Sequence, residues 1–168
     1  CSVLLMLHPS VERIPCQHMV VNGFDSPHTL HTVEKAYEVA QALKTQKITL
    51  VEEISPSEIK IAVSDDKSLR KATLRKQKLN RQEERRVQDI LKEIPEAKKQ
   101  DIKTQSQSIF GRRGYSIGHY ARLMRADLLV MNAQEESRFW HRLFPKDLEH
   151  ILNEIPTNVL IIAPESHE

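Results

Sequence analysis

Short apolar runs alternate with longer helical segments along most of this chain. The apolar runs lie at residues 19–24, 48–54, 126–131 and 158–163, and a further strand is predicted at 101–110, where the sequence is more polar. Several of them are continuously apolar, a pattern typical of strands that are buried on both faces of a parallel sheet. Five such alternations predict an α/β fold, with an open five-stranded parallel sheet, right-handed crossovers and helices on both faces.

The segment after the first run has clear helix signals. Ser26 stands where it can cap a helix, and Pro27 occupies a position where a missing backbone N–H costs little. A helix is therefore predicted over residues 28–43. Its spacing indicates an inward stripe formed by Leu30, Val33, Tyr37, Ala40 and Leu43.

A much longer helix is predicted over residues 67–94. At about 1.5 Å per residue it is roughly twice as long as a typical strand, so part of it should overhang the sheet. Residues 58–63, before it, fit either a short extra strand or a loop, and further helices are predicted at 115–124 and 145–155. The inward residues of the long helix are expected to be Leu69, Ala72, Leu79, Val87, Ile90 and Ile94.

The positive charge of the chain is concentrated in that long helix. The chain has 25 basic and 23 acidic residues, and nine of the basic ones lie between positions 67 and 86. A charge run is usually a solvated face, but it also fits an acidic protein, an anionic membrane surface or a nucleic acid. Nucleic acid is the least favoured partner, because aromatic residues that could stack on bases make up only 5% of the chain. The basic surface is expected to include Arg70, Lys71, Arg75, Lys78 and Arg81.

Length and composition bound the class of protein. A chain of 168 residues with 39% hydrophobic residues fits one soluble domain, since it has neither a bilayer-spanning run nor a signal peptide. Cys1 and Cys16 are too few for a disulfide scaffold and fit a reducing compartment. The chain is expected to divide into three parts: the end of a preceding segment with a linker at 1–17, the α/β domain at 18–164 and a tail at 165–168.

Both ends of the domain resemble a known family. The run at 126–131, followed by a loop, a helix and the stretch 158–164, resembles the C-terminal half of a universal stress protein domain. The first strand, running into Asp25, Ser26 and a long helix, resembles the opening of the same family. This resemblance covers residues 18–164 in element order. It implies a Rossmann-like three-layer fold and a non-catalytic regulatory or assembly role.

The resemblance also implies partners. Members of this family commonly pair through the last strand, which implies a homodimer through Val159, Leu160, Ile161 and Ile162. The stretch 3–9 resembles the closing strand of a preceding domain of the same type, as in tandem proteins or in transporters that bear such a domain. The implied setting is the cytoplasm, including as the soluble domain of an inner-membrane transporter, with the rest of that parent protein as a partner.

Nucleotide binding is the activity to weigh for such a fold. In an open parallel sheet a ligand sits at the carboxyl ends of the strands. The candidate residues at those ends are Asp25, Ser26, Val51, Met131 and Asn132.

The phosphate-binding loop of the ATP-binding relatives is missing from this sequence. Those relatives carry Gly-x-x-Gly, nine residues, Gly, then Ser or Thr, because backbone amides wrap phosphates only where no side chain obstructs them. Counted from Met131, the glycine positions fall on Asn132, Glu135 and Pro145, and the hydroxyl position falls on Lys146. ATP and AMP are therefore disfavoured, and no cofactor is predicted.

A turn near residue 112 offers a different anion site. Arg112 and Arg113 lie between two glycines ahead of a helix, where they could hold an anion or could be solvated arginines of an ordinary turn. The alternative function is therefore a sensor that binds an adenine nucleotide or another small anion at Asp25, Asn132 and this turn.

The remaining unusual residues carry less chemistry. Residues 139–144 contain three large aromatics, which either fill the former ligand cleft or present Trp140 as an anchor for a partner. His28 and His31 have no third ligand nearby, so no metal site is predicted. Because the sequence has no nucleophile motif or identifiable pair of catalytic carboxylates, no enzymatic activity is predicted.

Overall fold

The structure is a computed structural model that describes residues 2–7, 9, 15–112, 115–132 and 157–163. Its strands are β1 (Val3–Leu5), β2 (His18–Asn22), β3 (Lys47–Ile54), β4 (Lys103–Phe110), β5 (Leu128–Asn132) and β6 (Asn158–Ile162). Its helices are α1 (Thr29–Leu43), α2 (Asp66–Glu93), α3 (Glu96–Lys99) and α4 (Ser116–Leu123), with a 3₁₀ turn at Pro56–Glu58. The helix predicted at 145–155 lies outside the described residues.

The strands form a sheet in the order β1-β6-β5-β2-β3-β4. The pairs from β6 to β4 are all parallel, which confirms the five parallel strands predicted from the alternation of strands and helices. A sixth strand, β1, extends the sheet by pairing antiparallel with β6. Among the described residues, no helix is long and apolar enough to cross a bilayer.

The core lies on both faces of this sheet. Met19 and Val21 of β2 face a cluster that includes Tyr37 of α1 and Val87 of α2. Val20, between them, faces the opposite cluster, which contains residues of α4. Successive side chains of a strand point to opposite faces. Because both faces are covered by helices, both sets of positions have to be apolar, which explains the continuous runs.

The inward face of α1 differs from the predicted stripe. Val33, Tyr37 and Ala40 are buried as expected, whereas Leu30 and Leu43 are exposed. Instead, this helix buries two threonines, Thr29 and Thr32. Their hydroxyls donate to the carbonyls of Phe24 and His28, so the burial leaves no polar atom unsatisfied.

The long helix α2 overhangs the sheet at its N-terminal end. Ala72, Leu79 and Val87 are buried as predicted, whereas 52% of the surface of Leu69 is exposed. Residues 59–63, which precede the helix, form a loop rather than a strand. The C-terminal half of α2 therefore packs on the sheet, while much of the N-terminal half faces solvent.

The hydroxyl of Tyr37 ties α1 to β4. It shares a hydrogen bond of 2.6 Å with the hydroxyl of Thr104, and burial raises the pKa of the tyrosine. We expect Tyr37→Phe to lower the free energy of unfolding by about 1 kcal/mol, because the ring keeps its packing while Thr104 loses a partner. Urea unfolding measures this. Adding Thr104→Val should cost less than the sum of the single changes, and strict additivity would contradict the pairing.

His18, at the start of β2, makes stability depend on pH. Burial, with a contribution from the Lys47 charge, lowers the pKa of His18 below its usual 6.5, and its Nε2 is hydrogen-bonded with Thr49 at 2.9 Å. The unfolded chain therefore binds this proton more readily than the folded one. The contribution of neutral His18 is complete above pH 6.5 and is lost as the pH falls through the lower folded pKa.

The stability difference between the wild type and His18→Gln should accordingly shrink as the pH falls from 7.5 to 5.5. Thermal unfolding at a series of pH values measures it. Between pH 7.5 and 8.5 the difference should stay constant, since His18 is neutral in both states there. A difference that grows toward acid pH would show that His18 is charged in the folded protein.

Candidate functional site

The strand order reverses between β2 and β5, and this places a crevice at their carboxyl ends. In open α/β sheets such a reversal point is where ligands bind. Asn22 ends β2 and Asn132 ends β5, and only 3% of the surface of each is exposed. Two buried amides therefore stand at the base of the crevice.

The loop from β2 to α1 is held by its own side chains. Asn22 Oδ1 accepts a hydrogen bond from the amide of Phe24 at 3.0 Å. Ser26 Oγ accepts from the amide of His28 at 3.3 Å, but the helix N-cap is His28 and not Ser26, because Thr29 is the first helical residue. Asp25 lies in this loop with its side chain exposed. The carboxylate predicted to bind a ligand is therefore accessible.

Asn132 links β5 to this loop. Its Nδ2 donates to Ser26 Oγ at 3.1 Å, so the structure brings together two of the predicted site residues across the crevice. Its Oδ1 is buried and accepts no hydrogen bond within the part of the chain that the structure describes. A buried amide oxygen without a hydrogen bond is unfavourable, so it is available to accept one from a bound ligand.

The side chains of Val51 and Met131 pack in the core and do not line the crevice. Both side chains are buried in the core cluster on the α4 side of the sheet. The carbonyl of Val51 accepts from the amide of Gly23 at 2.8 Å. A Cβ at Gly23 would lie 3.3 Å from that carbonyl, so glycine permits this close approach between the ends of β2 and β3.

An arginine of α2 closes the ends of β2 and β3, and we call this arrangement the Arg86 clamp. Nη2 of Arg86 donates both to the Glu52 carboxylate of β3 and to the carbonyl of Gly23. Its Nε donates to Glu83 at 2.8 Å. Only 4% of the Glu52 side chain is exposed, compared with 21% of Arg86. One guanidinium thus joins a helix to two neighbouring strands over a buried carboxylate.

Glu53, the next residue of β3, points to the opposite face of the sheet, where α4 packs. Glu53 is 2% exposed, and its Oε1 accepts from the amide of Ile117 at 2.7 Å, in the first turn of α4. A carboxylate is favourable at a helix N-terminus, where unpaired amides point outward. Sequence analysis missed Glu52 and Glu53, although two adjacent glutamates in an apolar run already indicate buried charges that need partners.

Arg112 lies away from the crevice. Arg112 is exposed and follows β4, the edge strand, which lies two strands from β2 and so about 10 Å of sheet away. Arg113 and Trp140 lie outside the described residues, as do Glu135, Pro145 and Lys146. The structure therefore does not join Arg112 to Ser26 and Asn132.

The predicted interface strand is covered within the chain. Leu160 of β6 pairs with Leu4 of β1, flanked by the pairs Val3 with Ile161 and Leu5 with Val159. Ile162 lies beyond this pairing and is buried. On the basic surface, Arg70, Lys71, Lys78 and Arg81 are exposed, whereas Arg75 is half-buried and donates to the carbonyl of Glu58 at 3.3 Å.

Removal of the Arg86 clamp should destabilise the fold. Arg86→Met should lower the free energy of unfolding by about 3 kcal/mol, because Glu52 stays buried without the guanidinium. The double variant Arg86→Met with Glu52→Gln should be more stable than Arg86→Met alone, since the buried charge is then gone. Urea unfolding measures both, and a double variant that is less stable than the single one would contradict this account.

Comparison with known proteins identifies the family. The model of the universal stress protein family matches residues 18–163. A solved universal stress protein in complex with cAMP is 22% identical, covers 90% of this chain and 100% of its own, and has a TM-score of 0.52. A family protein from Burkholderia pseudomallei is 19% identical, with 94% and 100% covered and a TM-score of 0.54.

A longer relative extends along almost the whole chain. A universal stress protein from Archaeoglobus fulgidus DSM 4304 is 13% identical, with a TM-score of 0.59, and the match covers 99% of this chain but 51% of that one. No curated protein matches the sequence significantly. These structural similarities show the fold, and the family match extends over most of the sequence. The chain therefore belongs to the universal stress protein family.

Proposed function

We propose that this is a non-catalytic regulatory domain, which acts through protein contacts within a larger, transporter-type protein in the cytoplasm. The observation that carries the proposal is the Arg86 clamp. It occupies the carboxyl ends of β2 and β3 with the protein's own groups. A ligand of the usual kind for this fold would approach the same strand ends.

The clamp opposes nucleotide binding for an energetic reason. A base entering over the ends of β2 and β3 from the α2 side would have to displace the guanidinium from Glu52, and separating a buried ion pair is costly. The carbonyl of Val51 already accepts from Gly23, so its backbone is in use as well. The sequence also opposes phosphate binding. Where the ATP-binding relatives have the first glycine of their phosphate-binding loop, this chain has Asn132, whose side chain is hydrogen-bonded to Ser26.

The pairing of β1 with β6 supports the assembly role. Val3-Leu4-Leu5 of β1 is similar in sequence to Val159-Leu160-Ile161 of β6, and in the antiparallel register Leu4 lies opposite Leu160. The two like segments are therefore related by a local two-fold axis, as in a symmetric interface between copies. β6 is accordingly an assembly edge for a strand of its own kind, which β1 supplies within this chain.

Isothermal titration of the nucleotide-stripped protein tests the proposal. With ATP, ADP, AMP and cyclic AMP at micromolar to millimolar concentrations we expect no saturable heat, because the strand ends are occupied. Saturable nucleotide binding at micromolar affinity in physiological salt would overturn the proposal that this domain acts without a bound ligand.

A nucleotide sensor is the second candidate. The unpartnered Oδ1 of Asn132 and the exposed Asp25 favour it, because together they offer acceptors for an adenine amino group or ribose hydroxyls. The similarity in fold to a protein solved with cAMP points the same way. In this case Asp25→Ala should weaken binding at least tenfold, whereas Asp66→Ala, an exposed carboxylate on α2, should leave it unchanged.

Removing β1 tests the assembly edge. Deletion of residues 1–9 exposes β6, and we expect the shortened protein to form a dimer in which two β6 strands pair, because an unpaired apolar edge seeks a partner strand. Analytical ultracentrifugation measures the mass. Leu160→Lys in the shortened protein should restore the monomer. A shortened protein that is well folded and monomeric would contradict the proposal.

A further inference from the structure

Six basic residues form one row along the outer face of α2. Arg70 and Lys71 follow the first member by three and four residues, and the later members follow at spacings of seven, three and four, which places all six on one side of a helix with 3.6 residues per turn. The row covers about 27 Å of helix, at 1.5 Å per residue. We call it the cationic stripe, and its members are Lys67, Arg70, Lys71, Lys78, Arg81 and Arg85.

The stripe lies opposite the face that packs on the sheet. Its six residues are all exposed, whereas the buried residues Ala72, Leu79 and Val87 project from the other side of the helix. The half of α2 that overhangs the sheet carries most of the stripe. A flat partner could therefore approach these side chains along their whole row without meeting the rest of the domain.

Within the described part of the chain, the charges of the stripe are not neutralised by ion pairs. The salt bridges that α2 makes there use Arg86 and Lys92. The carboxylates of α2 that flank the stripe are Asp66, Glu84 and Asp89; Asp89 pairs with Lys92, and none of the salt bridges described there joins any of the three to a stripe residue. The row is thus a strong local positive field on a domain whose net charge is only +2.

A leucine stands in the middle of the stripe. Leu74 lies between Lys71 and Lys78 on the same face, and 65% of its surface is exposed. A solvated charged face has no physical need for an apolar residue at this place. Cations around one exposed apolar side chain match the boundary of an anionic bilayer, where headgroups attract the charges and the acyl region accepts the leucine.

We propose that the cationic stripe is a docking surface for an anionic lipid bilayer, with α2 parallel to the membrane plane and Leu74 directed into it. A protein partner is less well matched, because interface cores need more apolar surface than one leucine offers. A nucleic acid is also less well matched, because no stripe residue is an aromatic that could stack on a base.

Vesicle flotation tests this surface. At 0.1 M NaCl we expect the protein to bind vesicles of phosphatidylcholine with 30% phosphatidylserine and not vesicles of phosphatidylcholine alone. The variant Lys78→Glu with Arg81→Glu should bind at least tenfold more weakly, since each basic residue at the surface contributes about a fivefold gain in affinity. Far-UV circular dichroism and the melting temperature show whether the variant is folded.

Matched controls separate the stripe from net charge and from general hydrophobicity. Lys103→Glu with Arg122→Glu changes the net charge equally at exposed sites off the stripe, and should retain at least a third of the affinity. Leu74→Ala should weaken binding severalfold with the same salt dependence. Leu123→Ala, at a leucine of α4 that is 79% exposed, should have no effect.

Three results would overturn the proposal. Equal losses of vesicle affinity in the two charge-reversal variants would show an effect of net charge alone. If the wild type did not bind anionic vesicles, the stripe would be an ordinary solvated face. Binding of a 20-nucleotide RNA or DNA, tighter than vesicle binding at 0.15 M NaCl and lost in the stripe variant, would assign the surface to nucleic acid. The nucleotide titrations do not involve α2's outer face, so their outcome is independent of this one.

Discussion

A buried carboxylate at the end of β3 determines how the long helix is attached. Glu52 is held in the interior by Arg86, which also donates to the carbonyl that ends β2. Burying a charge is costly unless it is paired and hydrogen-bonded, so the fold requires α2 to pass over this point. Val87, which packs in the core cluster with Met19 and Val21, then fixes the rotation of the helix on the sheet.

The clamp and the stripe are consequences of the same placement. Because Arg86 faces the strand ends, and Ala72 and Val87 are buried on the side of the helix toward the domain, the stripe on the opposite side is exposed. The clamp fills the strand ends that a nucleotide would use, and the stripe presents charge outward. Under the two proposals made above, α2 therefore closes one surface to small ligands and presents another to a larger partner.

The sequence was a good guide to the strands and a poorer one to the polar contacts. Apolar runs predict β2, β5 and β6, because strands covered on both faces are largely apolar, and β3 is predicted by a run that Glu52 and Glu53 interrupt. The inward face of α1 was partly misplaced, because Thr29 is buried through a hydrogen bond to a nearby carbonyl that hydrophobicity does not reveal. Arg86 was missed, because it was counted within a run of charges rather than matched to Glu52, 34 residues away.

The sequence indicated a strand near residues 3–9 but not its place at the edge of this sheet, because Val3 and Ile161 pair across nearly the whole chain. That edge still constrains assembly. β1 has only three residues and is followed closely by Pro9, and short strands beside a proline are poor templates for a further strand. The sheet therefore stops growing at β1. In the assembly that we propose, a second copy reaches β6 by replacing β1, so that assembly is an exchange of like strands and not an extension of the sheet.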